Sequence, residues 1–278
     1  MQNNGYSLMD QVKNIIAVAS GKGGVGKSTT SVNLALALLK TGARVGLLDA
    51  YIYGPSQPTM LGIDDSVRPD QVGQHFIAPI MAHGLQTMSI GYLVTEDTAM
   101  AWRGPMAASA LQQLLTQTSW DDLDYLVIDL PPGTGDIQLT LSQKVPVTGA
   151  IVVTTPQDIA LIDARKAIEM FAKVEVPVLG IVENMAVHIC SNCGHQEHIF
   201  GTEGGERMAE HYGVPLLGAL PLDLSIRENS DSGEPTVVSQ PDSTIATMYD
   251  EMAKAVIASL EEQNAASTDM PTISISDD

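Results

Sequence analysis

The sequence predicts an α/β protein built on a doubly wound, mainly parallel sheet with helices on both faces. The first observation is a series of short apolar runs that are rich in valine and isoleucine and lack polar alternation. Such runs are typical of parallel strands buried on both faces. The second is that amphipathic stretches separate most of these runs. The third is size, because 278 residues, 44% hydrophobic and 17% charged, suit one domain with a large core.

Each predicted element follows from its local pattern. The apolar runs are predicted strands, and the stretches between them are predicted helices because their apolar residues recur at helical spacing. In chain order, the prediction is strand 14–20, helix 27–40, strand 43–50, strand 85–91, helix 104–118, strand 125–130, helix 136–144, strand 150–155, helix 158–174, strand 178–183, helix 204–212, strand 216–220 and helix 243–262.

The domain organisation is simple. Residues 1–13 are polar and irregular and are predicted to be a flexible lead-in. Residues 14–263 form the single predicted domain, which includes a Cys-x-x-Cys loop at 186–200. Residues 264–278 are polar and acidic with no helical face, so a disordered tail is predicted there.

Charge and hydropathy restrict the partners and the location. The formal net charge is −19, and no run of lysine or arginine is present. Nucleic acid and anionic lipid would both repel such a chain, so neither is an expected partner. No secretion signal is recognisable, and no apolar run reaches the roughly 18–20 residues of a membrane span. We therefore expect a cytoplasmic protein whose two cysteines stay reduced.

A phosphate-binding loop follows the first predicted strand. Residues 21–28 match G-x-x-x-x-G-K-[ST] in full, between a strand and a helix, as the motif requires. Its glycines let backbone N–H groups turn toward a phosphate, and the helix N-terminus adds partial positive charge. Lys27 is expected to reach the β- and γ-phosphates of ATP, and Ser28 to ligate magnesium. A glycine-rich turn without a ligand is the alternative. The predicted phosphate-binding residues are Gly21, Lys22, Gly23, Gly24, Val25, Gly26, Lys27, Ser28 and Thr29.

A second acidic residue is expected beside the magnesium. Asp129 ends an apolar strand and has the position that this role demands, although a buried aspartate with a structural hydrogen bond is the alternative. The rigid loop after it, at 131–136, has the features of a γ-phosphate sensor.

Lys22 gives the phosphate loop a resemblance to a particular class of ATPases. A lysine directly after the first glycine resembles the deviant phosphate loop of the MinD, ParA and nitrogenase iron protein class, in which this lysine reaches the ATP of a partner subunit. Lys22 therefore implies an ATP-controlled homodimer. Over residues 13–260 the chain resembles the Mrp/ApbC family of iron–sulfur cluster carrier ATPases. The stretches that show this are LLDAYIYGPSQPTMLG (47–62), AWRGPMAASALQQLL (101–115), DYLVIDLPPGTGDIQLTL (124–141), GIVENMAVHICSNCGHQEHIFG (180–201) and PLDLSIRENSDSGEP (221–235).

The resemblance implies further roles. Asn184 and the loop after Pro221 are expected against the adenine, although each is also suited to a cap or turn. In this class the second strand ends in Asp-x-Asp; here Asp49 matches the first acid, but Tyr51 stands at the second. The residues expected to act in hydrolysis are Lys22, Lys27, Asp49 and Asp129.

Tyr51 predicts weak hydrolysis. A phenol is neutral at pH 7 and cannot act as a carboxylate base. Loss of a positioned base costs on the order of 10²–10⁴ in rate. We therefore expect a chain that binds ATP but cleaves it slowly or not at all.

Cys190 and Cys193 are the only cysteines. Two thiolates cannot fill a tetrahedral zinc site or hold a four-iron cluster, but a two-fold dimer would bring four together. The family resemblance implies a shared [4Fe–4S] cluster. The alternatives are a Zn²⁺ bridge across the dimer, a one-chain zinc site that adds His195 and His198, and a dithiol–disulfide pair.

The leading functional hypothesis is a homodimeric, ATP-dependent carrier that delivers a [4Fe–4S] cluster to apo iron–sulfur client proteins. One alternative is a MinD- or ParA-type positioning ATPase, which the acid-flanked C-terminal helix at 250–264 and the charge disfavour. The other is a zinc-bridged targeting ATPase.

Overall fold

The structure, a computed structural model, describes residues 11–93, 104–135, 138–139 and 145–268. The strands are β1 Val12–Ala19, β2 Val45–Asp49, β3 Gln71–Val72, β4 Phe76–Ile77, β5 Ile80–Ala82, β6 Leu85–Ser89, β7 Leu123–Asp129, β8 Gly149–Thr154, β9 Val178–Glu183, β10 His188–Ile189, β11 Gln196–Glu197 and β12 Leu216–Ala219. The helices are α1 Lys27–Lys40, α2 Gln57–Met60, α3 Gly104–Gln117, α4 Asp158–Lys173, α5 Gly204–Tyr212, α6 Leu224–Asp231, α7 Thr236–Ser239 and α8 Thr244–Thr268.

Within these residues the central sheet has the order β12-β9-β8-β1-β7-β2-β6-β5. Its pairs are parallel except at the β5 edge, where β5 runs antiparallel to β6. In the registers, Asp129 of β7 lies opposite Val18 of β1 and opposite Asp49 of β2. The carboxyl ends of these three central strands therefore meet at one edge, where open α/β sheets bind their ligands.

The core has one layer on each face of the sheet. Along β1, Ile15, Ala17 and Ala19 face a cluster that includes side chains of α3, α4 and α5. Ile16 and Val18 face a second cluster, formed with α1 and α8. Since both faces of the strand are covered, its sequence shows an unbroken apolar run instead of an alternating one. The predicted doubly wound fold is confirmed.

The predicted elements agree with the structure apart from several ends and short additions. Every predicted strand is present, and so are the predicted helices except the one at 136–144, most of which lies outside the described residues. β1 begins at Val12, inside the predicted lead-in, because Val12 pairs with Leu123 and the next residue, Lys13, forms an ion pair of 2.7 Å with Asp124. The short elements α2, α6, α7, β3, β4, β5, β10 and β11 were not predicted.

The C-terminal helix is longer than predicted. α8 continues to Thr268, so residues 264–268 are helical and not part of a disordered tail. The reason is local, because Ala265 and Ala266 favour the helix and extend a helix whose earlier turns are packed on α1. Residues 1–10 and 269–278 lie outside the described range. Among the described helices, none combines the length and hydrophobicity that crossing a membrane requires.

Candidate nucleotide and metal site

The phosphate loop connects β1 to α1 at the ligand-binding edge of the sheet. Gly24 and Gly26 have φ angles of 80° and 81°, a left-handed conformation that favours glycine. Two close approaches add to this requirement. A Cβ atom at Gly21 would overlap the backbone of Asp163 in α4, and one at Gly26 would overlap the side-chain amide of Asn184. The loop is therefore wedged between α4 and the segment that follows β9.

A cavity of about 320 Å³ lies over this loop. Its lining combines backbone N–H groups at the start of α1 with two lysines, Lys22 and Lys27, which together suit a polyphosphate. A phosphate fits the cradle because the loop glycines have no side chains to fill it. The other predicted phosphate-loop residues that line it are Gly23, Gly24, Gly26, Ser28 and Thr29. Val25 is buried and does not line it.

Lys27 and Asp129 form a buried ion pair at the base of the cavity. Lys27 is 6% exposed and Asp129 is fully buried. The Asp129 Oδ1 atom accepts a hydrogen bond from Lys27 Nζ and another, at 2.9 Å, from the hydroxyl of Ser31. Lys27 Nζ also lies 3.3 Å from the hydroxyl of Ser28. The lysine would have to exchange this carboxylate for a phosphate oxygen when nucleotide binds.

The donors around this pair fit magnesium. The Ser28 hydroxyl and the Asp129 carboxylate are hard oxygen donors of the kind that Mg²⁺ prefers. They would hold the ion with the nucleotide phosphates, and the ion would neutralise charge on the transferred phosphoryl group. A bound cation would also take over the charge compensation that Lys27 now gives to Asp129.

The ion pair predicts a loss of stability when one partner is removed. Lys27→Met is expected to lower the free energy of unfolding of the nucleotide-free protein by about 3–5 kcal/mol, because Asp129 is left buried and uncompensated. Adding Asp129→Asn should recover part of that loss. Urea denaturation of the three proteins measures both effects. Arg44→Met, which removes an exposed ion pair with Asp122, is the control and should cost less than about 1 kcal/mol. A loss that small in Lys27→Met would contradict the prediction.

Asp49 shapes the loop that follows β2. Its Oδ1 accepts the Tyr51 N–H at 3.0 Å, and its Oδ2 accepts the N–H groups of Ser56 and Gln57 at 3.0 and 3.1 Å. Burial and the charge of Asp129 raise the pKa of Asp49 to about 7, although the N–H groups of Gln57 and Tyr51 and the charge of Lys27 act in the opposite direction. Both oxygens are thus engaged by the loop backbone. A direct role of Asp49 in hydrolysis stays a prediction.

Tyr51 lines the phosphate cavity. Its ring lies against Gly54, where a Cβ atom would come within 3.1 Å of the ring carbon Cε1. The structure thus places a phenol at the wall of the cavity, in the loop position where the class resemblance implies a carboxylate. The loop backbone holds this position, because the Tyr51 N–H is bound to Asp49.

A second cavity of about 200 Å³ adjoins the first and shares Gly26, Thr29 and Met60 with it. Asn184 and Pro221, the residues expected near adenine, both line it. One N–H of the Asn184 amide is already used, because Nδ2 donates to the Val25 carbonyl at 2.9 Å. The lining also includes residues of α6 that the sequence did not indicate, namely Ile226, Arg227, Ser230 and Asp231.

Gln57 is a residue of this site that sequence reasoning missed. It is 1% exposed, and its Nε2 donates to Asp129 Oδ2 at 2.9 Å and to the Ser28 carbonyl at 3.0 Å. The sequence signal that could have indicated Gln57 is its position shortly after β2, just past Gly54-Pro55-Ser56, because the segments that follow such strands lie at the ligand-binding edge of the sheet.

The paired cysteines lie in a short hairpin between β10 and β11. The hairpin is closed by hydrogen bonds from the Cys190 N–H to the His195 carbonyl at 2.9 Å and from the Gly194 N–H to the Cys190 carbonyl at 2.8 Å. Both thiols are free; Cys193 is exposed and Cys190 is partly buried. The N–H groups of Asn192 and Cys193 lower the pKa of the Cys190 thiol, which favours the thiolate that binds metal.

The one-chain zinc site is not supported. Within the described residues, which include the whole hairpin, no three histidine, cysteine or acidic side chains are grouped to hold a metal. The Nδ1 atom of His198 lies 2.7 Å from the Ala186 carbonyl, so only the Nε2 atom of this ring could bind a metal. Among the described residues, the pair therefore offers two thiolates without a third ligand grouped beside them.

These features define a class. A glycine-rich loop with Lys22 and Lys27 follows the central strand of a mostly parallel sheet, and a carboxylate ends the neighbouring strand, so the protein is a P-loop NTPase of the MinD/ParA type. The ParA family model, described as NUBPL iron-transfer P-loop NTPase, matches residues 11–257, and the chain belongs to this family.

Individual relatives agree with this assignment. The chain is 68% identical over 249 residues to the iron–sulfur cluster carrier protein of Salmonella typhimurium, covering 90% of this chain and 67% of the relative. A nucleotide-binding protein from Archaeoglobus fulgidus, solved in complex with ADP, superposes with a TM-score of 0.73 at 37% identity, covering 84% of this chain and 91% of the other. The cell division ATPase MinD of Pyrococcus furiosus superposes with a TM-score of 0.67 at 25% identity, covering 88% and 99%.

Proposed function

We propose that the protein is an ATP-dependent carrier that holds a [4Fe–4S] cluster between two copies of the chain and delivers it to apo iron–sulfur proteins. The observation that carries the proposal is a hairpin with one exposed and one partly buried free cysteine, and with no third metal ligand grouped beside them among the described residues, on a P-loop domain. Two copies related by a two-fold axis would supply four thiolates, the number that a four-iron cluster requires. The name of the Salmonella relative supports this cargo.

The nucleotide would act on the dimer through the phosphate loop. Lys22 lines the phosphate cavity and forms no ion pair with any described residue, which is compatible with a contact between its ammonium and a nucleotide in the partner subunit. Lys27 and Ser28 would bind the phosphates and magnesium of the same subunit. ATP would thus favour one dimer geometry and ADP another.

Backbone contacts between the second cavity and the cysteine hairpin support a coupling of the nucleotide to the cysteines. Leu222, which lines the second cavity, donates its N–H to the Val187 carbonyl at 2.8 Å and pairs with His188 of β10. Cys190 follows two residues after His188. A displacement of the cavity wall on nucleotide exchange would therefore shift the base of the hairpin that holds the cluster.

Anaerobic reconstitution with iron and sulfide tests the proposal. We expect a brown protein with about four irons and four sulfides per two chains, migrating as a dimer. A protein that takes up zinc alone, at about one ion per two chains, would instead identify the zinc-bridged alternative. Client proteins, a cytoplasmic location and the lack of nucleic-acid or membrane partners stay predictions.

A further inference from the structure

Gln57 joins three parts of the site that the chain brings from far apart. Its backbone N–H donates to Asp49 Oδ2 at the end of β2. Its side-chain Nε2 donates to the Ser28 carbonyl in the first turn of α1 and to Asp129 Oδ2 at the end of β7. No other side chain of the loop at 50–57 has a described hydrogen bond to Asp129.

The chemistry of these partners fixes the orientation of the amide. A backbone carbonyl accepts only, and so does a carboxylate, so the Gln57 atom that faces both must be the NH₂ group. The remaining atom, Oε1, is buried and has no hydrogen-bond partner in the part of the chain that the structure describes. Burying a carbonyl oxygen without a hydrogen-bond donor costs free energy. An unpartnered oxygen next to a predicted ligand site therefore indicates that a donor reaches it when the ligand is bound.

The two oxygens of Asp129 have different partners. Oδ1 is bound by Lys27 and Ser31, and Oδ2 is bound by Gln57. Transfer of Lys27 to a phosphate would remove one partner of Oδ1, whereas the Gln57 contact to Oδ2 does not depend on that lysine. Gln57 would therefore keep the carboxylate in its orientation while the site fills.

We propose that Gln57 is a positioning residue of the magnesium–nucleotide site. Its Nε2 fixes the Asp129 carboxylate and the backbone of Ser28, and its Oε1 is an acceptor for a donor, such as ordered water, that enters with the ligand. The inference rests on the proposed binding of nucleotide and magnesium. The inference goes beyond that binding by naming Gln57, the first residue of α2, as a support for both predicted magnesium-binding residues.

Nucleotide affinity measured with and without magnesium tests this role. A fluorescent ADP analogue is titrated into the full chain in excess Mg²⁺ and in excess EDTA, and the ratio of the two Kd values gives the magnesium enhancement. Loss of a residue that orients metal ligands typically lowers metal affinity 10–100-fold. Gln57→Leu is therefore expected to reduce the enhancement by about tenfold or more, with a change of less than about threefold in EDTA.

Two further variants make the test specific. Gln57→Asn keeps the amide but shortens its reach, so we expect the same direction of change with less risk to folding. Gln86→Leu is the matched control. The Gln86 side-chain amide, near the start of β6, makes two hydrogen bonds to the backbone of Asp121 and none to the phosphate loop. The magnesium enhancement of this variant should equal that of the wild type. Thermal melting without nucleotide monitors the fold of each variant.

The outcomes separate the two proposals. A normal magnesium enhancement in folded Gln57→Leu or Gln57→Asn overturns the role of Gln57. An equal weakening of binding in Mg²⁺ and EDTA also overturns it, since that result indicates general support of the loop. A wild-type protein that binds no nucleotide, or binds it without help from magnesium, contradicts the proposed function itself.

Discussion

Replacing Cys190 by serine is expected to abolish cluster binding while leaving the fold and nucleotide binding unchanged. Serine has nearly the size of cysteine, but its hydroxyl stays protonated at neutral pH and is a poor ligand for iron in place of thiolate. In a symmetric dimer one substitution removes two of the four ligands. Iron and acid-labile sulfide measured after anaerobic reconstitution should fall from about four per two chains to background.

His195→Ala is the matched control for this variant. His195 lies in the same hairpin, but its contact with Cys190 is through the backbone carbonyl, which the substitution keeps. Iron content should therefore stay at the wild-type level. Retention of the full cluster by Cys190→Ser would show that Cys190 is not a ligand. Its loss in His195→Ala would show that the two cysteines of each chain do not suffice to hold it.

Replacing Tyr51 by aspartate is expected to raise the rate of ATP hydrolysis by about 100-fold or more. The residue lines the phosphate cavity, so a carboxylate there would meet the nucleotide phosphates or their water. A positioned base contributes on the order of 10²–10⁴ to the rate of such a proton transfer. Binding of ATP should change little, because the phosphate loop supplies most of the contacts. Steady-state phosphate release measures the rate.

Tyr53→Asp separates position from charge in this experiment. Tyr53 is in the same loop, is 41% exposed and is not among the residues that line the phosphate cavity. The Tyr53→Asp substitution introduces the same carboxylate two residues away and should leave the rate of ATP hydrolysis unchanged. Equal rates of ATP hydrolysis in the wild type and Tyr51→Asp would contradict the hypothesis that Tyr51 limits turnover.

The sequence specified the central sheet because its signals are local. The unbroken apolar run that became β1 shows that both faces of the strand are covered, whatever covers them. Short elements were missed for the opposite reason. α2 and α6 have four and eight residues, too few for periodicity to identify them, and the two-residue strands β10 and β11 exist only as partners in a hairpin.

The residues of the candidate site also fall into two groups, those that local sequence motifs indicate and those that only the fold brings together. The phosphate loop and the paired cysteines are contiguous motifs whose chemistry follows from residue type and spacing, so Lys27, Ser28, Cys190 and Cys193 were predicted as site residues from the chain alone. The hydrogen bonds that Asp49 and Gln57 make in the loop could not be predicted in this way. Asp49 is close to Ser56 and Gln57 in sequence, but only the folded loop shows that it binds their N–H groups.

By itself, the sequence determined the class of this protein: a parallel α/β domain, a phosphate loop with an additional lysine, and a Cys-x-x-Cys pair for which a metal site shared between two copies is proposed. Only the tertiary structure decided how these parts meet. It brought Gln57 against Ser28 and Asp129, which are 29 and 72 residues away, and placed Tyr51 at the wall of the phosphate cavity. The physical reason is that parallel strands align their carboxyl ends, so residues distant in the chain become neighbours at one edge of the sheet.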